Sequence, residues 1–287
     1  MPTQWYPGHM AKARRLIAES VAIHDVVIEV VDARMPASSA NPILTELRKH
    51  KPCIKVLSKS DLADPDVTTA WLRSFEAHGS AGARGADGQP PGEVVAVAVR
   101  TDRPAEMRAQ IAELCQRLAR PTRQRATARA MVVGIPNVGK STLINTLMER
   151  KVAKVGDEPA VTKSRQLVTL KNGMTISDNP GIMWPKIEDE AASYRLALGG
   201  AIPDTAIDYE SVALFGAKFL LERYPELLRA RYKLTELPSA PDALLAEIGR
   251  RRGALRSGGT IDMHKAADVL IHDVRSGALG RITFESP

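Results

Sequence analysis

The segment Gly134-Ile135-Pro136-Asn137-Val138-Gly139-Lys140-Ser141 matches the pattern G-x-x-x-x-G-K-[ST] at every fixed position. Such a loop constrains a fold severely, because it works only where a strand hands over to a helix. Its glycines let the backbone curl until successive N–H groups point inward at a phosphate, and the helix N-terminus adds partial positive charge. The flanks agree with this. Ala130-Met131-Val132-Val133 reads as a buried strand, and Leu143, Ile144 and Leu147 recur at helical spacing after Ser141. Lys140 is then expected on the β- and γ-phosphates, and the Ser141 hydroxyl on Mg²⁺.

The rest of the chain builds an α/β domain around that unit. At 287 residues it is long enough for a large core and two domains. Asp25 to Val31 has the β-branched run of a central strand, and Cys53 to Leu57 and Val94 to Val99 read as further strands. Helical patterns run from Met10 to His24, Ile43 to His50, Val67 to His78 and Pro104 to Leu118, completing strand–helix units. Residues 79–92 are rich in Gly, Ala and Pro and read as a mobile surface loop. Past the phosphate loop, Gln166 to Leu170 and Met174 to Ile176 read as a hairpin around Asn172-Gly173. From about Pro203 the β signal fades, and Val212 to Tyr224, Pro225 to Tyr232, Pro241 to Gly249 and Met263 to Ser276 read as helices. The expected division is residues 1–200 for the α/β domain, with a basic N-terminal segment at 1–24, and residues 201–287 for a smaller all-helical domain.

A net charge of +7 favours a polyanionic partner, and its placement narrows the choice. Lys12, Arg14 and Arg15 lie on the first helix; Arg117, Arg120, Arg123, Arg125 and Arg129 precede the phosphate-loop strand without an acid among them, a run that reads first as a solvated linker and second as a polyanion contact. Arg250-Arg251-Arg252 ends a helix, where it suits a dipole cap and a phosphate contact equally. Cys53 and Cys115 are too few for a metal or disulfide framework and read as small buried residues in a reducing compartment. No apolar run approaches the roughly 18 residues of a membrane span, and Met1 to Arg15 lacks an apolar signal core. A cytoplasmic protein without a membrane role is expected.

Three further motifs narrow the nucleotide. Asp178-Asn179-Pro180-Gly181 is a D-x-x-G after a strand, placing a carboxylate near Mg²⁺ and a glycine amide near the γ-phosphate. Thr162 lies in the loop between the first helix and the hairpin, where its hydroxyl completes a Mg²⁺ shell only when a γ-phosphate is present; a solvent-facing threonine is the plainer alternative. Lys59-Ser60-Asp61, just past a strand end, is the candidate for base choice, with a surface Lys-x-Asp turn as the ordinary alternative. Guanine offers two adjacent donors that one carboxylate accepts, adenine offers no such pair, and the Lys59 stem packs along the base. No K-x-D occurs after Gly181, where the usual motif order would put it.

That displaced order resembles the circularly permuted GTPases, and specifically the bacterial ribosome biogenesis GTPase A family. Trp5-Tyr6-Pro7-Gly8-His9-Met10-Ala11-Lys12-Ala13-Arg14-Arg15, Asp32-Ala33-Arg34, Asn41-Pro42, Gly134 to Thr142 and Asp178-Asn179-Pro180-Gly181-Ile182 all look like the family's signatures, in its order. The resemblance spans essentially the whole chain. It implies a circularly permuted Ras-like P-loop domain followed by a helical domain. It also implies GTP hydrolysis during late maturation of the large ribosomal subunit, with rRNA-rich particles bound in the GTP state by a monomer. Nucleotide contacts carry over to Ser58, Lys59, Asp61, Asn137, Val138, Gly139, Lys140, Ser141, Thr142, Thr162 and Gly181, and Mg²⁺ contacts to Ser141, Thr162 and Asp178.

The chain departs from the family pattern at two places. Ser58 stands where the family has Asn, so guanine affinity is expected to fall, because a hydroxyl has one donor and less reach. Ala98-Val99-Arg100 lacks the serine of the guanine-backing loop, leaving a backbone N–H at Ala98 as the candidate contact. Ile182 occupies the position from which Ras-type enzymes orient the attacking water, and an apolar side chain cannot do so. The resemblance supplies His9 as the catalytic candidate, set beside a histidine that contacts RNA or caps its helix. It also makes Asn137 a candidate K⁺ ligand beside the phosphates. The competing expectations are a nucleotide-stabilised RNA-binding scaffold with negligible turnover, and an ATP-using enzyme, which Asp61 disfavours.

Overall fold

All seven residues of β1 (Val26–Asp32) are buried, which a strand achieves only when both faces of its sheet are covered. Its Val and Ile side chains suit that place, each contributing roughly 1.5–3 kcal/mol on leaving water. The computed structural model describes residues 7–48, 50–80, 92–119, 127–149, 166–170, 173–178 and 189–287. Within them β1 lies inside a sheet with β2 (Cys53–Ser58), β3 (Val94–Ala98), β4 (Arg129–Val133), β5 (Gln166–Thr169) and β6 (Thr175–Asp178). The order is β3-β2-β1-β4-β6-β5, and only the β5–β6 hairpin is antiparallel. Registers such as Asp32↔Ser58 and Val132↔Asp178 bring the C-terminal ends of four strands to one end of the sheet.

Helices α1 (Pro7–Ile23), α2 (Pro36–Ser39), α3 (Pro42–Arg48), α4 (Pro65–Ser80), α5 (Pro104–Leu118), α6 (Lys140–Met148) and α7 (Glu190–Leu198) surround the sheet. The period-two alternation of β1 decides who packs where. Val27 joins Ile17 and Val21 of α1 and Leu44 of α3, whereas Val26, Ile28 and Val30 join Ile111 of α5 and Leu143 of α6. Trp71 of α4 packs with Val31 and Leu57. Glu29 is the exception in this core. Its carboxylate accepts from Asn41 N at 2.7 Å and from Lys55 Nζ at 2.5 Å, while Asn41 Oδ1 accepts from Ile43 N and opens α3.

A second layer comprises α8 (Tyr209–Arg223), α9 (Pro225–Tyr232), α10 (Pro241–Arg252) and α11 (Met263–Ser276). Val212, Ala213, Gly216, Ala217 and Leu220 form the buried stripe of α8, and Ala266, Ala267, Leu270, Ile271 and Val274 that of α11. Their small residues let the helices approach closely. Asp208 and Asp262 cap these two helices through side-chain oxygens, and Pro225 and Pro241 start the other two.

The structure shifts several sequence boundaries. The first helix begins at Pro7 rather than Met10, since proline fits a first helical turn. The second hairpin strand runs from Thr175 to Asp178 rather than from Met174 to Ile176. Helix α4 continues through Ser80 into the segment expected as a loop, where Arg48 Nη2 takes the Gly79 carbonyl at 2.9 Å. The rest of that segment, 81–91, lies outside the described residues. Helices α2 and α7 were not anticipated from the sequence, although Asp189 caps α7 and Gly199-Gly200 ends it.

Candidate nucleotide-binding site

Strand β4 delivers the chain at Val133 into the phosphate loop. Gly134 has a φ of +154°, and a Cβ there would fall 2.5 Å from the Val30 carbonyl, so only glycine lets the loop run beside β1. Gly139, with φ of 97°, turns the chain into α6. The Lys140 side chain is buried, and its Nζ donates to Ile135 O at 2.5 Å, which holds the ammonium inside the curl. Ser141 follows in the first turn of α6. The leading N–H groups of a helix have no intrahelical carbonyl to pair with, so these and the Lys140 charge make an anion cradle.

The loop expected to read the base, the base loop, leaves β2 at Ser58. Lys59 adopts a left-handed conformation, φ 55°, and its Nζ reaches Asn137 O at 2.8 Å and Asp32 Oδ2 at 3.0 Å. One ammonium therefore binds the base loop to both the phosphate loop and the end of β1. The Ser58 hydroxyl lies within hydrogen-bonding reach of Val31 O at 2.9 Å and of Val138 O in the phosphate loop; its one proton serves one carbonyl at a time. The serine thus keeps a link between the loops. Asp61, half-buried, accepts from Thr101 N at 3.3 Å and faces Thr101 Oγ1 at 3.4 Å. Thr101 sets a hydroxyl beside Asp61, just past Ala98-Val99-Arg100, which has none. Sequence reasoning passed over it, although it is the first hydroxyl after β3. Ala98 closes β3, and Val99 O accepts from Ser60 N and Oγ, tying the two loops together.

Behind the loops lies a charged hub. Asp32 accepts from Arg34 N at 3.0 Å, Nε at 3.0 Å and Nη2 at 2.8 Å, and both side chains are buried. Burial alone would raise the Asp32 carboxyl, but the Arg34 and Lys59 charges and the Arg34 hydrogen bonds outweigh it and hold the group well below the usual carboxylate range. Arg34 also reaches the C-terminal end of α7. Its Nη2 donates to Gly199 O, Arg275 of α11 donates to Ala197 O and Leu198 O, and Asn137 Nδ2 of the phosphate loop donates to Gly200 O at 2.9 Å. Side chains of three separate elements so converge on the carbonyls at this helix end, of which Ala197 O also accepts from Gly200 N.

Asp178 closes β6 opposite Val132, one strand from the phosphate loop, and its side chain is outside the described set. His9 belongs to the first turns of α1, again with its side chain outside that set. Thr162, Gly181 and Ile182 lie outside the described residues altogether. A hydroxyl at the start of α6 and a carboxylate residue at the end of β6 are hard oxygen donors on adjoining elements, a set that fits a hard divalent cation. Val138, Gly139 and Thr142 complete the stretch around the cradle.

Renumbering the strands from β4 leaves the sheet and every pairing unchanged, so the displaced base loop meets the phosphate loop as it would in an unpermuted chain. Sheet, cradle and base loop define a circularly permuted P-loop GTPase. Over its full length the chain is 43% identical to the ribosome biogenesis GTPase A of Bacillus pumilus, covering 99% of that protein. The chain belongs to the ribosome biogenesis GTPase A family. At 30% identity it also matches the ribosome biogenesis GTPase A of Thermotoga maritima, with 99% of this chain and 94% of that protein covered. The family model described as 50S ribosome-binding GTPase matches residues 129–207. Among solved structures, GNP-bound YlqF from T. maritima matches at a TM-score of 0.63 and 27% identity, covering 96% of this chain and 98% of that one.

Proposed function

We propose that this GTPase, acting as a monomer, joins a precursor of the large ribosomal subunit late in assembly, holds its rRNA while GTP is bound, and leaves on hydrolysis. The observation that carries the nucleotide half is the Lys59 bridge, which brings the Asp61 loop onto the phosphate loop. Asp61 reads guanine through its N1–H and 2-amino donors, Lys140 and the α6 N-terminus hold the phosphates, and Gly181 meets the γ-phosphate. Mg²⁺ on Ser141, Thr162 and Asp178 would neutralise charge on the β- and γ-oxygens. His9 takes over the water-orienting task that Ile182 cannot perform, and Asn137 serves K⁺. The ribosomal half is supported by the names of the full-length relatives and by exposed arginines around the end of α10. There Arg250 and Arg251 fork Glu247, and Arg252 lies over Tyr232.

Co-sedimentation with large-subunit particles, comparing a GTP analogue with GDP at rising salt, tests the proposal. Retention is expected with the analogue and should weaken steeply with salt, as phosphate contacts do. Equal retention in both nucleotide states would remove the switch, and particles that leave phosphate release unchanged would favour a scaffold without turnover.

A further inference from the structure

We infer that the C-terminal segment 280–285 positions the guanine-reading loop, with Arg281 as the positioning residue. This rests on the reading of Asp61 as the base contact. The loop from Lys59 to Asp64 pairs Leu62 N with Lys59 O at 2.9 Å and, at a long 3.4 Å, Ala63 N with Ser60 O, so Leu62 O and Ala63 O look outside it for donors. Arg281 takes two carbonyls of the loop: Nη2 donates to Ser60 O at 3.2 Å and Nε to Ala63 O at 3.0 Å, bracketing Asp61 and Leu62. Ile282 N donates to Leu62 O at 3.0 Å, and Asp64 N donates to Thr283 Oγ1 at 3.1 Å. These four bonds end on one short stretch more than 200 residues away in sequence, while Ser60 N goes to Val99 O beside β3.

That stretch is itself anchored in the helical layer. Phe284 packs against Phe219 of α8 with ring centroids 5.3 Å apart, its N–H donates to Arg34 O at 2.7 Å, and Thr283 N donates to Tyr224 Oη at 3.1 Å. Trp71 Nε1 donates to Glu285 O, and the Glu285 carboxylate accepts from Ser38 N and Oγ. Lys59 holds a left-handed conformation, which is strained for a residue with a side chain and persists only where the surroundings over-determine it. Lys59 is held by Asn137 O, Asp32 and Leu62 N, and Arg281 fixes the carbonyls of the residues that follow it. A guanidinium donates along fixed, diverging directions, so it spans two carbonyls that a single ammonium cannot hold in the same way.

The experiment uses the full chain and three variants, Arg281→Ala, Arg281→Lys and Asp61→Asn. GDP, GTP, IDP and XDP compete against a fluorescent GDP, with GTP turnover measured in parallel. Arg281→Ala is expected to weaken GDP and GTP together by about tenfold, raising KM for GTP while kcat stays within about twofold. It should also shrink the preference for GDP over IDP, which lacks the 2-amino donor, because Asp61 no longer aligns with both groups. Arg281→Lys should recover part of each loss. An unchanged GDP-to-IDP ratio in folded Arg281→Ala, or in Arg281→Lys where the alanine variant does not fold, overturns the clamp. Asp61→Asn separates the two levels: a shift toward xanthosine nucleotides upholds the base reading on which the clamp depends, and unchanged GTP preference overturns both.

Discussion

Asp32 and Arg34 are two residues apart in sequence, yet their importance comes from what lies beyond them. A buried ion pair is costly to form and still more costly to break, since removing one partner strands the other charge. Asp32→Asn should therefore lower unfolding free energy by about 3 kcal/mol, measured by urea denaturation, through the uncompensated Arg34 guanidinium. The folded-state pKa of Asp32 lies below its unfolded value of roughly 3.9, so its stabilisation is complete above that pH and drains away as pH falls further. The Asn variant should accordingly show a shallower loss of stability in acid than the parent chain; equal slopes would remove Asp32 from the acid response. At this scale the sequence was legible where the signal was local. The place of Lys59 and Asp61 at the end of β2, beside the phosphate loop, could be read from three adjacent letters and a strand end, while their part in reading the base is a proposal. Thr101 could not, because its meeting with Asp61 depends on β3 lying beside β2, and Arg281 could not, because the carbonyls it holds carry no letter at all.

Elements with strong periodicity were legible, and those made by tertiary satisfaction were not. The β-branched runs of β1, β2 and β4 and the stripes of α8 and α11 announce themselves, since burial on one or both faces dictates their residues. Helix α7 is short and rich in alanine, and its end is defined by Arg34, Asn137 and Arg275 arriving from elsewhere. Arg275 also pairs with Asp204 at 2.9 Å, so it ties the end of α7 to the turn that follows. Arg275→Ala should cost about 1–2 kcal/mol by leaving Ala197 O and Leu198 O without side-chain donors, while leaving the far end of α11 helical. Thermal unfolding followed by circular dichroism checks the first part and amide exchange along α11 the second.

Over the whole molecule, permutation relocates the chain ends without altering the sheet, which is why motif order was informative and spatial arrangement was recoverable from it. The relation of the helical layer to the sheet was not recoverable, because it is written in contacts such as Arg34 with Val274 O and Phe284 with Phe219. The convergence on the last carbonyls of α7 has a further consequence for cooperativity. A phosphate-loop side chain, a β1-end side chain and an α11 side chain all grip one peptide stretch, so neither layer can loosen without releasing donors that belong to the other. The chain should then melt in a single transition by both calorimetry and circular dichroism. GDP at about a hundredfold excess over Kd should raise the whole curve by about 2.7 kcal/mol. Amides of α11, which meets the phosphate loop through the end of α7, should exchange more slowly once GDP is present; unchanged exchange there would mean that the two layers breathe separately.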